Sequence, residues 1–89
     1  MWYDVVVRGA GAKPLRAHGY VEANSIEEAN ERAKELFLHE FSLFGVDQVL
    51  SSHLATDDRE ELERLVANVG SPNTAFTKSG EKITRKSLQ

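Results

Sequence analysis

A capped amphipathic helix between Ser25 and Phe44 constrains this chain more than any other stretch. Ser25 is a good N-cap, because its hydroxyl can accept a bond from a first-turn N–H. Glu28 stands three residues on and can reach back to the cap's own N–H, a capping box. Gly45 follows Phe44 as the candidate C′ residue, since glycine enters the left-handed region freely. At about 100° per residue, Ile26, Ala29, Ala33, Leu36, Phe37, Phe41, Leu43 and Phe44 fall on one broad face. That face must bury against something. Glu40 projects into it, so the helix ends or bends before Glu40 or its carboxylate reaches the rim of the core. A functional buried acid is the less favoured reading, because buried ionised groups are costly.

The opposite face carries Glu27, Glu31 and Glu35 at i, i+4 and i+8, an acidic stripe. Like charges at this spacing are mildly destabilising. Glu28 and Arg32 form a compensating pair, and Leu38 lies near the stripe as an exposed apolar anchor. The bland reading of this face is a solvated surface. The sharper one is a contact surface for a basic partner.

What this helix covers follows from its neighbours. Trp2 to Arg8 is rich in β-formers, with Tyr3, Val5 and Val7 on one side. Gly9 to Pro14 connects it to an alternating run, Leu15 to Ala23, so the two make an antiparallel hairpin. Small residues at Ala17, Gly19 and Ala23 let a helix lie close. A third strand is expected near 46–51, with His53 to Ala55 as a loop. Thr56 then caps a second helix over 57–69, with Leu62, Leu65, Val66 and Val69 as its apolar face and a Glu60–Arg64 pair. Ser79-Gly80 is a turn candidate that sets Lys78 opposite Glu81 and Phe76 opposite Ile83. The expected fold is therefore α+β: a small antiparallel sheet of about three strands on one long helix, with a shorter helix and a C-terminal hairpin. Residues 1–78 form the domain, and 79–89 a basic tail, hairpin arm or disordered end.

Composition narrows the function. The chain has 89 residues, enough for one small core, and no cysteine, which excludes disulfides and thiolate metal sites. That absence, with no basic-then-apolar leader and no membrane-spanning apolar run, points to a cytoplasmic setting without membrane contact. Net charge is −3 but uneven. Residues 1–77 hold 7 Lys/Arg against 13 Asp/Glu, and 78–89 hold 4 against 1.

Chemistry-bearing motifs are absent. Gly9-Ala10-Gly11 follows a strand but precedes another, so no helix N-terminus would meet a phosphate. His18, His39 and His53 lack zinc-site spacing and read as surface residues. Ser51 and Ser52 beside His53 are adjacent only in sequence. No catalytic residue, cofactor or metal site is expected. Trp2 and Tyr20 share the hairpin's outer face with Arg8, Arg16 and His18. The plainer reading is that the second helix or the tail covers them; if exposed, they would be interface anchors or stacking platforms for single-stranded nucleic acid.

The segment Tyr20-Val21-Glu22-Ala23-Asn24-Ser25-Ile26-Glu27-Glu28-Ala29, preceded by strand, loop and strand and followed by Ala33, resembles a pattern of small phage and mobile-element proteins, several anti-CRISPR proteins among them. The resemblance covers residues 3–37 and carries no binding residues with it. It implies a small non-enzymatic protein that blocks a host complex by occupying a surface. The leading expectation is a protein-binding inhibitor or adaptor whose Glu27, Glu31, Glu35 and Leu38 meet a basic surface of a host protein or ribonucleoprotein. The alternative is a nucleic-acid accessory module using Arg8, Arg16, Tyr20, Lys78, Lys82, Arg85 and Lys86. Exposed Leu38 or free sheet edges would also serve a homodimer.

Overall fold

A computed structural model describes residues 1–13 and 15–88. Pro14 and Gln89, which the expectations for the first loop and the tail included, lie outside the described residues. The elements run β1 (Trp2–Gly9), β2 (Arg16–Glu22), α1 (Ile26–Glu40), β3 (Val46–Thr56), α2 (Arg59–Ala67), β4 (Thr74–Phe76) and β5 (Lys82–Thr84), with a short 3-10 turn at Lys86–Leu88. The α+β class is as expected, but the described residues form a five-stranded sheet in the order β3-β1-β2-β4-β5. β1 and β2 make the expected antiparallel hairpin. β4 then joins β2 in parallel, opposite Tyr20 and Val21.

Alternation along β1 sorts its residues to two faces. Tyr3, Val5 and Val7 bury against α1 with Ala17, Val21, Ala29, Ala33, Phe37 and Phe76. Trp2 and Tyr20 bury on the other face with Leu62, Val66, Ala75 and Ile83. The molecule thus has three layers, with the sheet between two helices and a core on each side. Phe37 sits at the centre of the first core. Its ring is edge-on to Phe41 at 5.5 Å and tilted to Phe76 at 6.0 Å, both favourable aromatic geometries. A Cβ on Gly19 would lie 3.0 Å from Phe37 Cζ and 3.3 Å from the Thr74 carbonyl oxygen. Glycine there lets helix and sheet approach this closely.

The Ser25 hydroxyl accepts from the Glu28 N–H at 3.2 Å. Glu28 reaches back to the N–H of Asn24, one residue before the cap. The helix stops at Glu40 rather than Phe44. Fifteen residues of helix span about 22 Å, close to the roughly 23 Å of the seven-residue β2. Ser42, at φ 53°, makes the left-handed turn assigned above to Gly45. The Leu43 N–H donates to the Leu38 carbonyl and the Ser42 N–H to the His39 carbonyl, a Schellman closure. Phe44 therefore leaves the apolar face and stands 97% exposed. Glu40 remains helical, and its carboxylate reaches Lys82 Nζ at 3.1 Å on the rim.

Other expectations need correction. β3 runs through His53–Ala55, taken above as a loop. Register shifts at three places against β1 break its two-residue alternation and hid its length. Asp58, not Thr56, caps α2 by accepting from the Glu60 N–H at 3.0 Å. Val69 lies past the helix and is exposed. Arg64 pairs with Glu61 and Arg59 with Glu63, rather than Glu60 with Arg64. Arg32 donates to the Thr77 carbonyl at 2.7 Å instead of pairing with Glu28.

The largest correction is at the C-terminus. Gly80 (φ 87°) turns the chain, with its N–H on the Thr77 carbonyl and the Thr77 N–H on that of Glu81. The three-residue loop shifts the register by one from the expected pairing. Ile83 faces Ala75, and Lys82 faces Phe76. One residue of slip changes the face of every side chain: Phe76 enters the first core and Ile83 the second. β5 is the sheet's edge, and its Ile83 helps close the second core.

Gly19→Ala should lower stability by about 1–3 kcal/mol through overpacking against Phe37. The check is a drop in the urea midpoint at unchanged m-value.

Candidate functional site

The helix rule that buries Ala29, Ala33 and Phe37 turns Glu27, Glu31 and Glu35 outward, and all three are exposed. Lys34 Nζ lies 3.1 Å from the Glu31 carboxylate, an exposed pair worth little. Leu38 is partly buried beside them, not the exposed anchor expected. A groove of about 310 Å³ borders the stripe, lined by Glu35, Leu36, His39, Glu40 and Phe76. A smaller one, about 190 Å³, continues past Glu35 and Leu36 to Arg32, Lys78, Ser79 and Gly80. The register of β4 and β5 creates this cleft between α1 and the hairpin.

The alternative nucleic-acid set does not converge. Arg8 and Arg16 stand opposite each other on the sheet face away from α1. Tyr20, 3% exposed, is buried beneath α2, as is Trp2 at 2%; neither is a stacking platform. Burial raises the Tyr20 hydroxyl above its ordinary pKa; a bond from Ser71 opposes this and the Asp4 charge adds to it. β4 joins the sheet at Tyr20 and Val21, the far end of β2 from Arg16, and the tail strand β5 lies beyond it, paired with β4. Lys78 Nζ bonds the Asn24 side chain, and Lys82 bonds Glu40. Arg85 donates to the carbonyls of Val66 (3.0 Å), Asn68 (2.8 Å) and Ser71 (3.1 Å), closing the C-terminal end of α2. Lys86 is exposed in the 3-10 turn.

One constellation was not foreseen. The Asp4 carboxylate sits between His18 and His53: His18 Nε2 contacts Oδ1, and His53 Nε2 is 3.6 Å from Oδ2. His53 is opposite Asp4 across the β1–β3 ladder, and His18 is diagonal to it on β2. The bulges of β3 set this register and left no sequence signal for it. Among the described residues, no group of three His, Asp or Glu is arranged to hold a metal ion. Nor does a hydrogen bond join Ser51 or Ser52 to His53 among them. Among the same residues, no helix is long and apolar enough to cross a membrane.

The three carbonyl bonds make Arg85 a fastener of α2. Arg85→Ala should cost about 2–3 kcal/mol, measured by thermal or urea unfolding, and Arg85→Lys should not restore it, since one ammonium cannot reproduce the planar fork. Compared with known proteins, the chain matches no family model, no curated protein and no solved structure.

Proposed function

We propose that this chain is a small non-enzymatic protein-binding inhibitor or adaptor that presents the outer face of α1 to a basic surface of a partner. The observation that supports this is where the charge is free. Glu27, Glu31 and Glu35 project to solvent, with Glu31 sharing an exposed contact with Lys34. Lys78, Lys82 and Arg85 of the basic tail are instead bonded to the chain's own groups, and Lys86 alone of the four is left exposed without such a bond among the described residues. The groove lined by Leu36 and Phe76 beside Glu35 offers an apolar slot next to the charges. A slot of this kind can seat a side chain as an anchor. The acidic stripe would speed encounter with a basic groove and suppress other partners. In a host cell, such a groove is the nucleic-acid channel of a protein or ribonucleoprotein. Occupying it would block it, as the resemblance to anti-CRISPR proteins implies.

The test is capture from nuclease-treated bacterial lysate, followed by affinity measurement on the captured complex. Glu31→Lys with Glu35→Lys should weaken binding at least tenfold, about 1.4 kcal/mol, without lowering the melting temperature. It should also flatten the salt dependence. Wild-type affinity in the double variant would contradict the reading.

A further inference from the structure

The sheet face that α1 does not cover is only half covered by α2. The uncovered half is made of the β1, β2 and β3 residues nearest the 10–15 loop. Arg8 stands between Arg16 and Gln48, and Val6 between His18 and Ser51. In the sequence, residues 5–21 contain three Lys/Arg and no Asp/Glu, within a chain of net charge −3. Two acids border this surface. Asp47 binds Arg8 at 2.7 Å. Asp4 is held between His18 and His53 with its side chain only 17% exposed. Arg16 is exposed, and among the described residues it makes no ion pair.

Two features of this surface run against what stabilises a fold. Like charges directly opposite each other in a ladder are destabilising, yet Arg8 and Arg16 are paired in this way. At the same end, Phe44 is 97% and Leu15 61% exposed. They lie on adjoining loops tied by the Ala10 N–H to the Gly45 carbonyl at 2.9 Å. The exposed Phe44 ring lies at the same end of the molecule as the exposed cations Lys13 and Arg16. Rings and cations together hold single strands, since cations follow the phosphates and rings stack on the bases.

We infer that this open half-face, with Arg8, Arg16, His18 and Gln48 as its polar contacts and Phe44 at its edge, binds single-stranded nucleic acid without sequence preference. It lies on the opposite side of the sheet from the acidic stripe and does not rest on the function proposed for it. A partner carrying nucleic acid in a basic groove would meet both surfaces, the protein at α1 and the exposed strand at the sheet.

The experiment is fluorescence anisotropy of labelled oligo-dT and oligo-U titrated with the full chain at low and moderate salt. Saturable binding should weaken steeply with salt, with a slope of about −0.7 per phosphate engaged. Arg16→Glu should weaken it at least tenfold and flatten that slope, and Phe44→Ala should weaken it roughly five- to tenfold. Both side chains are exposed, and unchanged melting curves will show that the variants fold. Glu31→Lys, on the other side, should not weaken binding. No saturable binding at low salt by folded protein would overturn the inference. So would equal binding by wild type, Arg16→Glu and Phe44→Ala. Binding to anionic phospholipid vesicles without oligonucleotide binding would overturn it in favour of a membrane surface.

Discussion

Phe37 seated over Gly19 sets the distance between α1 and the sheet, and much of the architecture depends on it. Once a phenylalanine ring occupies the place of a missing side chain, the neighbouring positions on β1 and β2 must supply small or branched apolar groups. Ala17, Val5 and Val21 do so, all essentially buried. Phe76 reaches the same ring from β4. The helix thereby joins the hairpin at the start of the chain to a strand near its end. That tie has a consequence for the opposite face. With β4 held beside β2, Ala75 points away from Phe37 and helps form a second core with Trp2, Tyr20, Leu62, Val66 and Ile83.

A sheet buried on both faces makes strand register unusually consequential. Slipping β5 by one residue would remove Ile83 from beneath α2 and place Lys82 there. The three-residue turn ending at Gly80 holds that register, and Arg85 fastens the following segment to the α2 carbonyls. A small domain without disulfides has little stability to spare. Here the C-terminal residues supply part of the core rather than a detachable appendage.

Local rules written in the sequence were readable. The Ser25 cap, the Tyr3-Val5-Val7 alternation and the Leu62–Val66 face all depend on neighbours within a turn or a strand. The parts that escaped depend on distant pairing. β3 looked short because its bulges interrupt alternation, and only β1 across from it shows that His53 continues the strand. α1 closes after Glu40 in a Schellman pattern, so Ser42 took the turn that Gly45 seemed suited to. The acidic stripe was legible because helical spacing alone defines it. The groove beside Glu35 was not, because it arises from packing of the terminal hairpin against α1. The tail cations looked free for the same reason: their partners, Glu40, Asn24 and the α2 carbonyls, are far away in sequence.

The central structural claim is that β4 and β5 belong to the same cooperative unit as the β1–β2 hairpin. Native-state hydrogen exchange measures this residue by residue. The amides of β4 and β5 that bond within the sheet should open only with global unfolding, matching the free energy of the β1–β2 amides. Exchange of β4 and β5 at rates near those of an unprotected loop, while β1 and β2 stay protected, would contradict the three-layer account and return the C-terminal segment to the status of a tail.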